Sequence, residues 1–250
     1  MILGIVQARL GSTRLPEKVL AEIEGYTLIE HVLRRSAAAK RVDKVVVATT
    51  NRPEDDRLEK FVRESFGFEV FRGSTDDVLD RFFRCAAPYS PELIVRITAD
   101  DPLKDPEIID RAVKIQLDDP TLDYCSNTIK PTFPEGFDIE TFRFSALATA
   151  ASEARLPSER EHVTPFIWKR PGRFRIKNFE HDEDLSRWRL TVDKPADLEL
   201  MRAIFRALSA RGTLFSYRDV ITLLKQRPEL REINSGTQRN EGYTPHEGNR

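Results

Sequence analysis

Ile2-Leu3-Gly4-Ile5-Val6-Gln7-Ala8 runs directly into Arg9-Leu10-Gly11-Ser12-Thr13-Arg14-Leu15-Pro16-Glu17-Lys18. A short apolar run followed by a polar, glycine-bearing loop is the pattern of a strand buried on both faces, as in a parallel sheet. The pattern recurs. Residues 44–49, with three consecutive valines, 68–71 and 93–98 have the composition of further strands. Between and after them, 27–40, 54–65, 76–87 and 107–117 carry apolar residues at helical spacing; Leu28, His31, Val32 and Arg35 share one face, and Gly67 ends the second helix. Strands alternating with helices of this length predict βαβ units and an α/β fold with a mainly parallel, Rossmann-like sheet. Ligands of such sheets bind at the carboxyl ends of the strands, so the loops after Ala8, Thr49, Phe71 and Thr98 should share one rim.

The chain has 250 residues, 40 Lys+Arg against 41 Asp+Glu, and 40% hydrophobic residues including fifteen Phe. That length suggests one large domain with an insertion, and the apolar content is enough for a core. A net charge of −1 lacks the basic excess that a general nucleic-acid binder needs. Two cysteines, Cys85 and Cys125, argue against a disulfide framework and a cysteine zinc site. No apolar run approaches the ~20 residues of a membrane span, and the amino terminus lacks the basic lead-in of a signal peptide. The expectation is a cytoplasmic protein with neither a membrane nor a nucleic-acid partner.

The middle departs from the alternation. Residues 123–128 and 137–142 are predicted strands around the Pro-containing loop 130–136; 145–155 and 159–169 are predicted helices; 173–179 and 187–192 alternate like strands. Residues 123–186 are therefore expected to form an insertion facing the substrate or a second subunit, within one domain spanning 1–233. Helices follow at 195–209 and 217–226, and the Gly-, Asn- and Thr-rich tail 234–250 has a disordered composition.

Three loops carry candidate chemistry. In the first, Gln7, Ala8, Arg9, Gly11, Ser12, Thr13, Arg14 and Lys18 combine a glycine, two hydroxyls and three cations after a first strand. Glycine lets the backbone approach an anion, arginine grips phosphate with a fork, and lysine serves as a point charge. One cation would be a solvated surface residue; three around Gly-Ser-Thr favour phosphate binding. Neither G-x-x-x-x-G-K-[ST] nor G-x-G-x-x-G is present. In the second loop, Thr98-Ala99-Asp100-Asp101-Pro102, the helix cap falls to Asp105 before Pro106, which leaves Asp100 available to hold Mg²⁺ beside the phosphates. In the third, Asp193 stands just ahead of Lys194-Pro195 and can complete that metal site or pair locally with Arg187, Arg189 or Lys194. Asp138 and Glu140 fall on one face of a strand and can bind acceptor hydroxyls, while Arg160 and His162 can grip an acceptor carboxylate. Asp182-Glu183-Asp184 spells D-x-D but sits in an acidic, hydrophilic turn.

Residues 7–18, Gly73-Ser74-Thr75-Asp76-Asp77-Val78-Leu79-Asp80-Arg81, 96–102, Pro134-Glu135-Gly136-Phe137-Asp138-Ile139-Glu140, 159–165, 190–197 and Asn240-Glu241-Gly242-Tyr243 together resemble the acylneuraminate cytidylyltransferase family, most closely the branch of spore coat polysaccharide biosynthesis protein F. The resemblance implies a nucleotide-diphospho-sugar transferase fold, often a homodimer built on the middle insertion. It also implies Mg²⁺-dependent transfer of CMP from CTP to a sugar acid or similar acidic acceptor, with release of pyrophosphate. Arg9, Ser12, Arg14 and Lys18 would then hold the triphosphate, with Arg14, Lys18 and Asp100 catalytic; Ser74, Asp77 and Thr98 would touch the nucleotide; Asp100 and Asp193 would ligate the metal. The alternatives are a glycosyltransferase using a nucleotide sugar through Asp182 and Asp184, a nucleotidyltransferase with another base or a non-sugar acceptor, and a silent nucleotide-binding protein.

Overall fold

Strand β1 (Ile2–Gln7) enters the site loop, and a two-residue-per-strand hairpin, β2 (Glu22–Ile23) and β3 (Tyr26–Thr27), leads into α1 (Leu28–Ala37). The chain continues through β4 (Lys44–Thr50), α2 (Asp56–Phe66), β5 (Glu69–Gly73), α3 (Val78–Ala86), β6 (Leu93–Thr98) and α4 (Pro106–Asp118). Then come β7 (Tyr124–Ser126), β8 (Glu140–Arg143), α5 (Phe144–Glu153), α6 (Pro157–His162), α7 (Pro165–Trp168), β9 (Ile176–Asn178), α8 (Pro195–Leu208), α9 (Tyr217–Gln226) and α10 (Glu229–Glu232). This computed structural model describes residues 1–236 and 239. Among them the main sheet has the order β5-β4-β1-β6-β8-β7-β9. The pairs β4–β5, β1–β4, β1–β6 and β7–β9 are parallel, and β8 runs antiparallel to both β6 and β7. The chain is thus an α/β protein with a mainly parallel, mixed sheet.

Pleating divides each central strand between two cores. Ile2 and Val6 of β1, Val45 and Val47 of β4, and Leu93, Val95 and Ile97 of β6 face one layer, packed with residues of α1, α2, α4, α8 and α9. Leu3 and Ile5, Val46 and Ala48, and Ile94 face the other, with α3, α5 and α7. Both faces are covered, so all three strands read as continuous apolar runs. No helix among the described residues is long and apolar enough to cross a membrane.

The structure differs from the pattern reading in four places. Segment 187–192 forms no strand; its backbone bonds go to loops, Leu190 N to Glu135 O (2.7 Å) and Val192 N to Asp100 O (2.9 Å). Its alternation reflects Arg189, Thr191 and Asp193 turned towards the cleft instead of a sheet face. The predicted helix 159–169 is two short helices, because Val163 has φ +71° and Thr164 N donates to His162 O (2.8 Å), a γ-turn between them. The strand predicted at 137–142 begins only at Glu140. Finally, Asn234, placed in the tail by composition, is buried and donates to Arg189 O (3.1 Å) and Asp197 Oδ1 (2.8 Å), and Arg239 bonds Asp138 and Phe133 O. Asn240-Glu241-Gly242-Tyr243 lies outside the described residues.

Candidate active site

The loop after β1 is fixed from below. Asp55, fully buried, accepts Leu10 N (2.8 Å) and the Thr50 hydroxyl, which anchors the start of the loop to the end of β4. Gly11 passes so close to Glu54 that a Cβ would sit 2.7 Å from its Oε1. Glu17 takes a left-handed conformation (φ 53°), donates its N–H to Leu10 O, and ends the loop; Lys18 starts a 3-10 turn in which Val19 is buried. Arg9, Ser12, Thr13 and Arg14 are left lining the cleft, while Lys18 is carried inward.

Lys18 Nζ donates to Val192 O (2.8 Å), Asp193 Oδ1 (2.8 Å) and Asp100 Oδ2 (3.1 Å). Three segments far apart in sequence thereby converge on one ammonium. Burial would lower the lysine pKa, but the two carboxylates outweigh it and raise it. Burial acts on Asp100 in the opposite sense, and Lys18 outweighs it, holding the carboxyl down at about 2. Asp193 also receives Arg14 Nη2 at Oδ1 (2.8 Å) and Arg189 Nη2 at Oδ2 (2.6 Å). It is aimed from the backbone: Asp197, on the first turn of α8, accepts both Asp193 N (2.9 Å) and Lys194 N (2.8 Å). The capping logic that leaves Asp100 available also holds, since Asp105 accepts Glu107 N (2.9 Å) and Ile108 N (3.2 Å) at the start of α4.

Two cavities meet at this point. One, of about 540 Å³, is lined by Gln7, Arg9, Ser12, Lys18 and, on α3 and before it, Thr75, Asp76, Val78 and Arg81. The other, of about 430 Å³, is lined by Thr128, Asp138, Thr164, Trp168, Arg189 and Arg239 among others. Arg14, Arg96, Thr98, Asp100, His162 and Asp193 border both. One half is rich in loop cations and the other in hydroxyls and paired charges, an arrangement suited to a phosphate-bearing donor beside a polar acceptor.

The remaining predicted residues divide. Asp138 lines the second cavity and is paired with Arg239. Glu140 lines it too, but both of its oxygens are engaged: Oε1 by Tyr124 OH (2.7 Å) and the Thr164 hydroxyl, Oε2 by Arg96. Burial would raise the Glu140 pKa, but Arg96 and the Thr164 and Tyr124 hydroxyls together outweigh it and keep it below the usual range. His162, which borders both cavities, has its pKa lowered, chiefly by burial. Arg160, expected at the acceptor, is turned away: Nε donates to Asp77 Oδ2 (2.9 Å) and Nη1 to Ala151 O (2.8 Å). Ser74 and Asp77 border neither half of the cleft. Ser74 Oγ accepts Asp77 N (3.0 Å), and Asp77 caps α3 by accepting Asp80 N (2.9 Å), so Thr75 and Asp76 line the cleft instead. Asp182 and Asp184 are exposed and outside both cavities. Arg189 was named by sequence only as a local partner of Asp193, which the structure shows it to be, and Arg96, Lys104 and Arg239 were given no role. Of these three, Arg96 carried a signal, a cation two residues before Thr98 on the same strand face.

The chain is similar to known proteins over most of its length. Spore coat polysaccharide biosynthesis protein SpsF of Bacillus subtilis is 35% identical over 235 residues, covering 91% of this chain and 95% of that protein. A 3-deoxy-manno-octulosonate cytidylyltransferase of Pelobacter propionicus is 38% identical over 122 residues, 48% of this chain and 46% of that one. The solved structure of a cytidylyltransferase from Leptospira borgpetersenii superposes with a TM-score of 0.87 at 34% identity, covering 92% of this chain and 95% of that one. Residues 3–225 fit the family model described as cytidylyltransferase. The chain therefore belongs to the cytidylyltransferase family and is a nucleotidyltransferase.

Proposed function

We propose that the enzyme transfers CMP from CTP to a hydroxyl of a small acidic acceptor, a sugar acid or similar compound, with Mg²⁺ and with release of pyrophosphate, in the synthesis of a surface polysaccharide or glycan precursor. The observation that carries this reading is the meeting of Lys18, Asp100 and Asp193 at the junction of the two cavities. The names of the relatives, one a polysaccharide biosynthesis protein and one a sugar-acid cytidylyltransferase, support the same class of acceptor.

Attack on an α-phosphate builds charge on its non-bridging oxygens and on the departing pyrophosphate, and preorganised cations stabilise it. Arg9, Arg14 and Lys18 line one cavity together, and in this reading they are the cations that do that work. Asp100 and Asp193 are the residues that would hold Mg²⁺. Their oxygens already share one cation, and no group of three His, Cys, Asp or Glu among the described residues forms a closed cage. Such a two-carboxylate set suits an ion that completes its shell with phosphate and water; bound there, it would neutralise phosphate charge. Arg96 offers donors at the junction beyond the one it gives Glu140, and suits an acceptor carboxylate better than Arg160, which Asp77 holds.

The test is pyrophosphate release from CTP, UTP, GTP and ATP with Mg²⁺ over a panel of sugar acids, including 3-deoxy-manno-octulosonate, and their neutral counterparts. Release with CTP and an acid supports the reading; release only with neutral sugars overturns the acidic acceptor, and release only with another triphosphate overturns the base. The reading includes a cytoplasmic homodimer built on 123–186, for which light scattering should give twice the chain mass.

A further inference from the structure

On β1 the odd-numbered residues face α3, since Leu3 and Ile5 pack in the same core as Leu79 and Phe82. Gln7 continues that face, and it lines the donor cavity together with Arg81 of α3. Each of these residues holds a buried polar atom with no partner among the described residues: the Gln7 Oε1 acceptor and the Arg81 Nε donor. Arg81 is 3% exposed, and one arm is already fixed, Nη1 donating to Ser74 O (2.6 Å). Its stem is also fixed. Gly73 lies so close that a Cβ there would be 3.0 Å from Arg81 Cγ and 2.8 Å from Phe71 Cε1, so the absence of a side chain at 73 makes the room in which Arg81 lies. A buried group left without a partner carries its desolvation penalty unrepaid, and two of complementary sense in one cavity point to a ligand that meets both.

Resting on the reading that the cleft binds CTP, we propose that Arg81 and Gln7 are the base-reading pair of the donor cavity. The cations of the β1 loop, Arg9 to Lys18, serve the triphosphate. The base then lies towards α3, between that loop and residues 75–81. The Watson–Crick edge of cytosine offers an amino donor at N4 and two acceptors, N3 and O2. A guanidinium fork supplies two donors and can never accept, so it matches N3 and O2 and opposes the N3–H of uracil. The Gln7 carbonyl accepts N4–H. Because an amide can turn over, Gln7 alone would tolerate the O4 of uracil, and discrimination resides mainly in Arg81.

The experiment is calorimetric titration of CTP, UTP and inorganic pyrophosphate, each with Mg²⁺, into the wild-type chain and the variants R81K, Q7E and Q7L. The wild type should prefer CTP over UTP by about 10²-fold, as two mismatched contacts of a polar pair imply. R81K keeps the charge and loses the fork: CTP affinity should fall ~10- to 100-fold while UTP and pyrophosphate change little, so that the preference collapses. Q7E, which can only accept at neutral pH, should retain CTP and widen the preference; Q7L should weaken CTP selectively. Equal loss of CTP, UTP and pyrophosphate in R81K would reassign Arg81 to the triphosphate and overturn the proposal. Equal wild-type affinity for CTP and UTP would also overturn it, leaving the nucleotidyltransferase reading in place. A wild type that binds no triphosphate removes both. Should R81K fail to fold, as judged by circular dichroism, Q7E and Q7L decide: unchanged preference in both overturns the pairing.

Discussion

Lys18 Nζ lies 2.8 Å from Asp193 Oδ1 across 175 positions of sequence, and Asp100, 82 positions away from Lys18, shares the same ammonium. Lys18→Gln keeps much of the stem and removes the charge. Turnover should fall by at least ~10²-fold, the usual consequence of losing one preorganised charge-stabilising donor. The check is the initial rate of pyrophosphate release from CTP under saturating conditions; a rate within threefold of wild type would take Lys18 out of the chemistry.

Asp197 does not border the cleft, yet it holds the backbone of Asp193 and Lys194 and lies 3.6 Å from Arg189 Nε. It is fully buried. Asp197→Ala removes the acceptor of two N–H groups and a carboxylate beside the Arg189 guanidinium, and should cost about 3–5 kcal/mol of stability, as breaking a buried charge network does. Urea unfolding measures it, and the unfolding midpoint should move with little change in slope.

Gly136 has φ +106°, and a Cβ there would sit 2.5 Å from Leu190 O. Gly136→Ala combines an unfavourable backbone conformation with a clash against the backbone of the Arg189 segment. A loss of at least ~1–3 kcal/mol is expected, visible as a lower thermal midpoint, together with a raised KM for the acceptor.

Arg160 gives the opposite expectation. Because it donates to Asp77 and to Ala151 O, Arg160→Ala should lower the melting temperature by a few degrees, in line with ~1 kcal/mol, and leave the acceptor KM unchanged. A selective rise in acceptor KM would return Arg160 to the acceptor site.

His31 predicts a pH dependence of stability. It is buried, with Nε2 donating to Ile23 O (2.8 Å) and Nδ1 without a partner among the described residues. Burial lowers its pKa below 6.5. The unfolded chain therefore takes up a proton near pH 6.5 that the folded chain resists. The stability that the neutral ring contributes is complete above that pH and is lost as pH falls towards the folded pKa. His31→Phe should be less stable at pH 7.5 and show a shallower decline between pH 7 and 5 in chemical unfolding.

Much of the architecture was legible because it is local. The valine runs, the Asp105-Pro106 start of α4 and the glycine after α2 each state a preference that packing then confirms. The convergence of the β1 loop and Asp100 on one cleft was legible for a related reason: residue types that make no sense as caps or core stood together at strand ends. What stayed hidden depends on three-dimensional partners. Segment 187–192 alternates as a strand does, and nothing local reveals that its backbone will bond two loops. Arg160 carries the same charge whether it faces an acceptor or Asp77, and only the packing of α6 on α3 decides. Asn234 sits in a composition typical of disorder, yet two buried acceptors hold it in place.

The reversed direction of β8 has a consequence for how this enzyme can diversify. Strands β1 and β6 reach the rim at their ends, so the cavity beside them is lined largely by residues that follow them; β8 leaves the rim at its start, so one part of the second cavity's wall, from Thr128 to Glu140, is encoded ahead of it. Residues inserted or exchanged in that stretch would reshape one substrate's chamber while the strand framework and the other chamber stay as they are. A lineage could therefore recut one wall of that cavity by editing a single interval of its gene.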